Sequence, residues 1–312
     1  MTVLLAHRLP GTSTEAAADE LRERLGGVEI LAASDESEFR SLLEDAEVLV
    51  TGTPPGDAVE SAPNLRWVQA LSSGTDQYDE VALADRGIAL TNASGVHGPQ
   101  IGQQVLGYLL YFERGFDRAV RQQHERTWDR YGGGELGDRT IGIVGAGAIG
   151  SKVADYCTAF GPELLGVKRD PSTAPAVFDA VYPPAELETV LERSDYLVIA
   201  CPLTDETRRL VDADAVATLP DDAVLVNIAR GEIVDETALV TALDDGRLGG
   251  AALDVFETEP LPEESPLWGM DNVLVTPHTA GTTPHYWRRC VELIERNHAR
   301  YRAGKSLENR IV

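Results

Sequence analysis

The chain has 312 residues, 43% of them hydrophobic, which is enough for two domains that each bury a core. Its formal net charge is −24, from 51 acidic and 27 basic residues, and so acidic a surface repels nucleic acid and anionic membranes. We therefore expect no nucleic acid and no membrane among its partners.

The N-terminal part of the chain alternates short β-branched segments with helical ones. Helical periodicity, with polar residues suited to capping at the start, predicts helices over residues 14–25 and 37–44. This alternation indicates a small open α/β unit. The predicted strands span residues 3–6, 28–32, 47–50, 66–71 and 88–90.

A longer helix is predicted over residues 98–116, and Pro99 suits its first turn. A polar segment then leads to Gly137. The apolar residues of the helix recur at helical spacing: Ile101, Val105, Leu109, Leu110 and Phe112.

A second and stronger series of strands follows the polar segment. Several of these strands are almost continuously apolar, which is typical of parallel strands covered on both faces. After the last of them the sequence predicts one more helix, over residues 286–301. The predicted strands are 140–144, 163–167, 196–200, 224–228, 250–255 and 273–276.

The charges and the cysteines concern the environment of the protein. Acidic residues are spread along the chain and are dense in 15–47, while there are only three lysines, as in proteins from salt-saturated cytoplasm. We expect a halophilic protein whose self-repulsion is screened by salt.

Cys157, Cys201 and Cys290 have no metal-binding spacing, so we expect buried free thiols and no metal site. Without a signal peptide or a membrane-spanning apolar run, the expected location is cytoplasmic.

A glycine-rich turn joins the strand TIGIV to the helix SKVADYCTAF. Gly145 permits the tight turn, Gly147 lets the backbone approach a pyrophosphate, and Gly150 lets helix and strand pack closely. The N-terminus of the helix offers unpaired N–H groups to an anion. This pattern predicts a dinucleotide-binding site.

The residues at the end of the next strand indicate whether the bound dinucleotide is NADP or NAD. Lys168 and Arg169 stand where a ribose-binding acid is usual, and two cations cannot accept hydrogen bonds from a ribose diol. They can pair with a 2′-phosphate, which predicts a preference for NADP. If the register is shifted by two residues, Asp170 is the ribose acceptor, and the cofactor is NAD.

Five further stretches carry a family resemblance. The chain resembles the D-isomer-specific 2-hydroxyacid dehydrogenase family over nearly its whole length. "LLAHRLPG" (4–11) and the Lys-Arg pair are more weakly similar to the glyoxylate/hydroxypyruvate reductase branch. The stretches are "LSSGTDQYD" (71–79), "ACPLTDETRRLV" (200–211), "NIARGEIVDETAL" (227–239), "AALDVFETEPLPEESPLW" (251–268) and "VLVTPHTAGTT" (273–283).

The resemblance implies that Arg230, Glu259 and His278 form the catalytic set. Reducing a 2-oxo acid needs a hydride at the carbonyl carbon and a proton at its oxygen, and imidazole titrates close enough to neutrality to donate that proton. A carboxylate beside His278 would orient the ring. Arg230 would fix the substrate carboxylate and polarise the carbonyl.

The resemblance also implies binding roles for other residues. The backbone of Ser73 and Gly74 is expected to bind the substrate carboxylate together with Arg230. Asp254 is expected to meet the nicotinamide carboxamide, and Pro202 to flank the adenosine. The full set expected to bind the cofactor is Gly145, Gly147, Ala148, Ile149, Gly150, Lys168, Arg169, Pro202, Thr207, Ile228, Ala229, Asp254 and His278.

The sequence alone does not decide whether the last helix packs on the second domain or returns to the first; the resemblance implies that it returns. The fold implied is α/β, with two doubly wound parallel-sheet domains and a Rossmann cofactor domain inserted into a flavodoxin-like catalytic domain. The catalytic domain comprises residues 1–92 and 286–312, and the cofactor domain residues 93–285. A homodimer is expected from the resemblance.

The favoured function is reduction of 2-oxo acids to D-2-hydroxy acids with NADPH preferred and NAD as a second possibility. An NAD-linked D-lactate or 3-phosphoglycerate dehydrogenase is the alternative within the same class. A dinucleotide-sensing corepressor or scaffold of the same fold is the alternative outside it.

Overall fold

A computed structural model describes residues 1–75 and 77–312. The chain divides into two compact units, which we call unit 1 (residues 1–97 and 282–312) and unit 2 (residues 98–281). The sequence-based division at 92/93 and 285/286 differs from this one by a few residues at each boundary.

Unit 1 contains a five-stranded parallel sheet in the order β2-β1-β3-β4-β5. The five predicted strands are confirmed, with no end shifted by more than one residue. The side chains of Ser13, Asp35 and Asp79 cap the N-termini of α1, α2 and α3. The elements are β1 Thr2–Leu5, α1 Thr14–Arg24, β2 Glu29–Ala32, α2 Glu36–Leu43, β3 Val48–Thr51, β4 Trp67–Ala70, α3 Glu80–Asp85 and β5 Ala89–Thr91.

Unit 2 contains a seven-stranded parallel sheet in the order β12-β11-β10-β9-β6-β7-β8. The strand order reverses between β6 and β9, which is where open α/β sheets bind their ligands. The elements are α4 Gly98–Glu113, α5 Phe116–Glu125, β6 Thr140–Val144, α6 Ala148–Cys157, β7 Glu163–Val167, β8 Ala180–Tyr182, α7 Leu187–Leu191, β9 Tyr196–Ile199, α8 Ala213–Thr218, β10 Val224–Asn227, α9 Glu236–Asp244, β11 Gly250–Leu253 and β12 Val273–Val275.

The unit 2 sheet is covered on both faces, which explains its continuously apolar strands. One apolar cluster joins α4 and α6 to the sheet and includes Val105, Val153 and Ile143. A second cluster, on helices α7, α8 and α9, includes Leu239 and Leu225. Alternate residues of each strand therefore enter opposite cores.

Strand β8 and helix α5 of unit 2 were absent from the sequence-based prediction, which also gave no bounds for α7, α8 and α9. Strand β8 has only three residues, all half-buried at the edge of the sheet, and so lacks a continuous apolar run. Helix α5 lies within the segment expected to be only polar and has no buried residue. Neither element contributes to a core strongly enough to leave a sequence signal.

The last helix, α10 (Tyr286–Arg302), packs in the core of unit 1. Trp287, Val291 and Ile294 belong to the same apolar cluster as residues of β1 and β3. The Tyr301 hydroxyl donates to Glu47 over 2.9 Å. The C-terminal segment therefore completes the unit in which the chain begins.

The structure also bears on the expected thiols and on membrane insertion. Cys157, Cys201 and Cys290 are free and buried, which confirms the prediction, and burial raises the pKa of the Cys157 thiol to about 12. Within residues 1–75 and 77–312, no helix combines the length and the apolar character that crossing a membrane requires.

Candidate active site

The glycine turn between β6 and α6 has three different local requirements. Gly145 has a φ of +106°, and a Cβ there would lie 2.6 Å from the backbone of Ala200 and Cys201. A Cβ at Gly150 would overlap the Gly145 carbonyl oxygen. A Cβ at Gly147 would meet no atom within 4 Å, so this glycine faces open space. The first and third glycines therefore serve packing, and the middle one leaves room for a ligand.

Helix α6 begins at this open space without a side-chain cap. Gly147 is its N-cap residue and makes no side-chain hydrogen bond, while Gly147 and Ala148 are exposed. The N–H groups of the first turn, which include those of Ala148, Ile149 and Gly150, carry the positive end of the helix dipole. An uncapped helix end beside a glycine-lined opening fits a pyrophosphate.

The three charges after β7 have different environments. Lys168 directly follows the strand, and its Nζ donates to the Thr173 carbonyl over 2.9 Å. The Asp170 carboxylate caps the short turn that follows, accepting from the Ser172 amide at 3.1 Å and the Ser172 hydroxyl at 2.6 Å. Arg169, between them, is exposed. Asp170 thus has a structural function in its own turn.

The three residues expected to be catalytic follow three neighbouring parallel strands of unit 2. Arg230 follows β10, Glu259 follows β11 and His278 follows β12. Since the strands are parallel, all three residues lie beyond the same edge of the sheet. The turn after Arg230 lies against the backbone of Phe256, in the loop after β11. A Cβ at Gly231 would overlap that backbone, so only glycine allows this close approach.

Glu259 and His278 are brought into direct contact. The His278 Nδ1 lies 2.7 Å from Glu259 Oε2, and the other carboxylate oxygen accepts from the Phe256 amide at 3.1 Å. A carboxylate that accepts from Nδ1–H leaves Nε2 as the ring atom that faces outward. His278 is about half exposed, so this nitrogen is accessible to a small molecule.

Arg230 is held by the end of β10. Its Nη1 donates to the Ala229 carbonyl over 2.7 Å, and the Arg230 carbonyl accepts from Asn227 Nδ2 at 2.9 Å. Ile228 and Ala229, which precede it, are buried. The guanidinium is therefore partly oriented by its own backbone.

Asp254 is a buried carboxylate, 1% exposed, at the end of β11. One of its oxygens accepts from the Thr276 hydroxyl at 2.5 Å and the Thr279 amide at 3.0 Å, and the other from the Ala280 amide at 2.9 Å. Sequence reasoning gave this residue a cofactor contact and missed its hydrogen bonds to the segment around His278. The local signal was the Thr two residues before the His in "VTPH".

The remaining expected contacts lie in ordered turns. Beyond β9, the Thr207 hydroxyl donates to the Pro202 carbonyl over 2.7 Å. In unit 1, beyond β4, the Ser73 carbonyl accepts from Asn92 Nδ2 at 2.6 Å, and the Gly74 carbonyl accepts from the Ser72 hydroxyl at 2.7 Å. These two hydrogen bonds constrain the backbone at Ser73 and Gly74.

The seven-stranded sheet and its uncapped, glycine-lined helix define a dinucleotide-binding α/β protein, in which the Glu259 carboxylate and the His278 imidazole are in hydrogen-bond contact. Residues 106–280 match the family model described as D-isomer specific 2-hydroxyacid dehydrogenase, NAD binding domain. The chain belongs to this family of dehydrogenases.

Individual relatives support the same assignment. The chain is 31% identical over 299 residues to D-3-phosphoglycerate dehydrogenase of Methanocaldococcus jannaschii, and the match covers 94% of this chain but only 56% of that protein. It is 36% identical over 257 residues to glyoxylate reductase of Thermofilum pendens, covering 80% of this chain and 75% of that protein.

A solved structure is similar over almost the whole chain. It is an NADPH-dependent glyoxylate/hydroxypyruvate reductase from Sinorhizobium meliloti in complex with NADP and sulfate. The TM-score is 0.84 at 29% identity, and the match covers 99% of this chain and 98% of that one. The similarity therefore includes both units.

Proposed function

We propose that this protein reduces 2-oxo acids to D-2-hydroxy acids with a nicotinamide cofactor, NADPH being preferred. The observation that carries the proposal is the 2.7 Å contact between Glu259 and His278, which follow neighbouring strands of a dinucleotide-binding sheet. The names of two relatives make glyoxylate and hydroxypyruvate the first substrates to test.

His278 supplies the proton. When bound, the reduced cofactor supplies the hydride to the carbonyl carbon. Glu259 accepts a hydrogen bond from Nδ1–H, so the outward Nε2–H donates its proton to the carbonyl oxygen as that oxygen becomes a hydroxyl. After the transfer His278 is neutral and regains its proton from water; oxidation of the alcohol reverses these steps.

Arg230 and the Ser73–Gly74 loop bind the substrate in this proposal. The Arg230 guanidinium pairs with the substrate carboxylate and stabilises negative charge that develops on the carbonyl oxygen. The N–H groups of Ser73 and Gly74 contribute further donors to the carboxylate. These roles agree with the positions of both segments beyond the carboxyl ends of parallel strands.

The preference for NADPH is supported by the segment after β7. Lys168 and Arg169 provide two cations for a 2′-phosphate, and the Asp170 carboxylate is engaged by Ser172. The remaining proposed cofactor contacts come from the ends of β9, β10 and β11, namely Pro202, Thr207, Ile228, Ala229 and Asp254. His278 lies beside the nicotinamide in this arrangement.

A test of the function follows the absorbance of NADPH and of NADH in parallel, with glyoxylate, hydroxypyruvate and pyruvate as substrates. We expect absorbance loss with at least one 2-oxo acid, faster with NADPH, and a D-hydroxy acid as product. Cofactor binding without turnover of any 2-oxo acid would contradict the proposal and favour the sensing scaffold.

We also propose a homodimer in the cytoplasm, stabilised by salt. Phe116 and Val120 of α5 and the nearby Trp128 are exposed apolar side chains, and Trp128 is 91% exposed. Exposed large apolar side chains often mark an interaction surface, so we propose that a second copy of the protein covers these three residues. Light scattering of the wild type and of Trp128→Asp tests the dimer, and melting temperatures at rising NaCl concentration test the salt effect.

A further inference from the structure

A chain of hydrogen bonds connects α4 to the segment that carries His278. Gln104 Nε2 donates to the Tyr108 hydroxyl over 2.8 Å, and that hydroxyl lies 2.6 Å from Thr276 Oγ1. Thr276 Oγ1 donates to Asp254 over 2.5 Å. Because a hydroxyl has one proton and Asp254 takes that of Thr276, Tyr108 must donate to Thr276. The hydrogen bonds are therefore all donated in the same direction, from Gln104 to Tyr108 to Thr276, and the last acceptor is the buried Asp254 carboxylate.

The buried end of this chain keeps its protons in place. Burial raises the pKa of Tyr108, so its hydroxyl stays protonated and available as a donor. Tyr108 and Asp254 are both buried, and a buried polar group that loses its partner carries a desolvation cost. The geometry of the chain is consequently well determined.

Asp254 also holds the backbone at His278 and at the two residues that follow it. The His278 amide donates to the Asp254 carbonyl over 2.9 Å, and the amides of Thr279 and Ala280 donate to its carboxylate. At the far end of the segment, Gln100 Nε2 donates to the Gly281 carbonyl over 2.9 Å. Every residue from His278 to Gly281 is thus anchored.

Helix α4 contributes three polar side chains from one of its faces to this network. Gln100, Gln104 and Tyr108 are spaced four residues apart and form a polar stripe along the helix. Two of the three contact the 276–281 segment directly, one at each end, and the third donates to Tyr108. The apolar residues of α4 attach the helix to the core, so the stripe is a rigid support.

The backbone at His278 needs such support, because its φ is +50°, in the left-handed region that residues with a side chain rarely adopt. We infer that Tyr108 and Thr276 are positioning residues for catalysis: with Asp254 they fix the conformation of the 276–281 segment and so place His278 against Glu259 and the substrate. The inference rests on the proposed role of His278 and assigns Tyr108 and Thr276 an effect that acts through the position of His278.

The experiment compares Tyr108→Phe, Thr276→Val and Thr276→Ser with a matched control, Tyr196→Phe. The Tyr196 hydroxyl also lies in a buried network, donating to Glu113 over 2.7 Å, and has no part in the 276–281 segment. For each variant the readouts are kcat, KM, the NADPH dissociation constant from nicotinamide fluorescence, and deuterium uptake of a peptide spanning 276–281.

Tyr108→Phe and Thr276→Val should each lower kcat by about tenfold to 100-fold, because small misplacements of a catalytic group have effects of that size. Deuterium uptake at 278–280 should rise in both, while the NADPH dissociation constant stays unchanged. Thr276→Ser retains the hydroxyl and should restore kcat and protection. Tyr196→Phe should change neither readout.

Unchanged uptake and kcat in both variants would overturn the inference, and so would equal losses in Tyr196→Phe, which would indicate general destabilisation. Loss of function in Thr276→Ser as large as in Thr276→Val would also overturn it. Failure of the proposed function is separable: if His278→Ala keeps full turnover, His278 is not the acid, while uptake still shows whether Tyr108 and Thr276 hold the segment.

Discussion

The two units have related sheets but different connections after their first strands. Each sheet is doubly wound around its first strand, β1 in unit 1 and β6 in unit 2. In unit 1, residues 6–13 join β1 to α1, and the Ser13 hydroxyl caps that helix by accepting from the Ala16 amide at 3.2 Å. In unit 2, three residues with two glycines join β6 to α6, and no side chain caps the helix.

This difference shows that topology alone does not identify a ligand site. Both sheets offer a point where the strand order reverses, yet α1, α2 and α3 of unit 1 each have a side-chain cap that accepts from one N–H group of the first turn. Of the two helices that directly follow the first strand of a sheet, α1 is capped by a side chain. Helix α6 has no side-chain cap, and a Cβ added at its N-cap glycine would meet no atom within 4 Å. Side-chain capping therefore distinguishes α1 from α6, the two helices that directly follow the first strands of the two sheets.

The largest expected effect tests whether the acid–base chemistry belongs to unit 2. His278→Ala removes the proposed proton donor, so kcat should fall by about 10²-fold to 10⁴-fold. The NADPH dissociation constant should stay close to the wild-type value, because the glycine turn and the α6 N-terminus are untouched. Stopped-flow turnover and fluorescence titration measure the two quantities.

His285→Ala is the matched control, since His285 is an exposed histidine at the start of α10 in unit 1. It should retain turnover. Equal loss of turnover and of NADPH affinity in His278→Ala would indicate that this histidine only supports the structure.

The next effect concerns the cofactor preference of unit 2. Replacing both Lys168 and Arg169 with Ala removes two cations from the proposed 2′-phosphate site. Since hydrogen bonds to charged groups contribute about 1.5–3 kcal/mol, NADPH affinity should fall about tenfold to 100-fold. NADH, which lacks the phosphate, should bind as before; isothermal titration with each cofactor measures the difference.

Substitutions of Asp170 provide a control, because the direction of the change in NADPH affinity distinguishes the two possible roles of its carboxylate. If its cap at Ser172 keeps Lys168 and Arg169 in place, Asp170→Ala should weaken NADPH binding although it removes a negative charge, while Asp170→Asn keeps an acceptor and should not weaken it. Weaker NADH binding in both variants would instead identify Asp170 as the ribose acceptor.

The sequence predicted most of the fold because long apolar runs and glycine turns act locally. All strands of unit 1 and six of the seven in unit 2 follow such runs, whereas β8 has none. The catalytic set was predicted from motifs, and the structure shows the Glu259–His278 contact directly. The support from Tyr108 and Gln100 was not predicted, because α4 and the 276–281 segment are far apart in the chain and a polar stripe does not reveal its partner.

Gly147→Asp makes α6 resemble the capped helices of unit 1. The backbone at Gly147 is already extended, as it is at Ser13 and Asp35, and a Cβ added there meets no atom within 4 Å. The cap should raise the free energy of unfolding of the protein without cofactor by about 0.3 kcal/mol. NADPH affinity should fall by about tenfold, or 1.4 kcal/mol, because the carboxylate occupies the place of the pyrophosphate.

Gly147→Ala is the control for Gly147→Asp, because it adds the Cβ without a capping group. It should fold normally and should weaken NADPH binding less. Unchanged NADPH affinity in Gly147→Asp would mean that the pyrophosphate binds elsewhere, and the contrast between capped and uncapped helices would lose its functional meaning.

The smallest effect tests the opposite side of the contrast, the capped helix of unit 1. Ser13→Ala leaves the Ala16 amide of α1 without its acceptor and should lower the free energy of unfolding by about 1 kcal/mol, as measured by urea denaturation. Ser13→Asp retains an acceptor and should restore stability. NADPH affinity should be unchanged in both, since this N-terminus is satisfied from within the protein; a loss of NADPH affinity that follows the loss of the cap would show that α1 also contributes to the dinucleotide site.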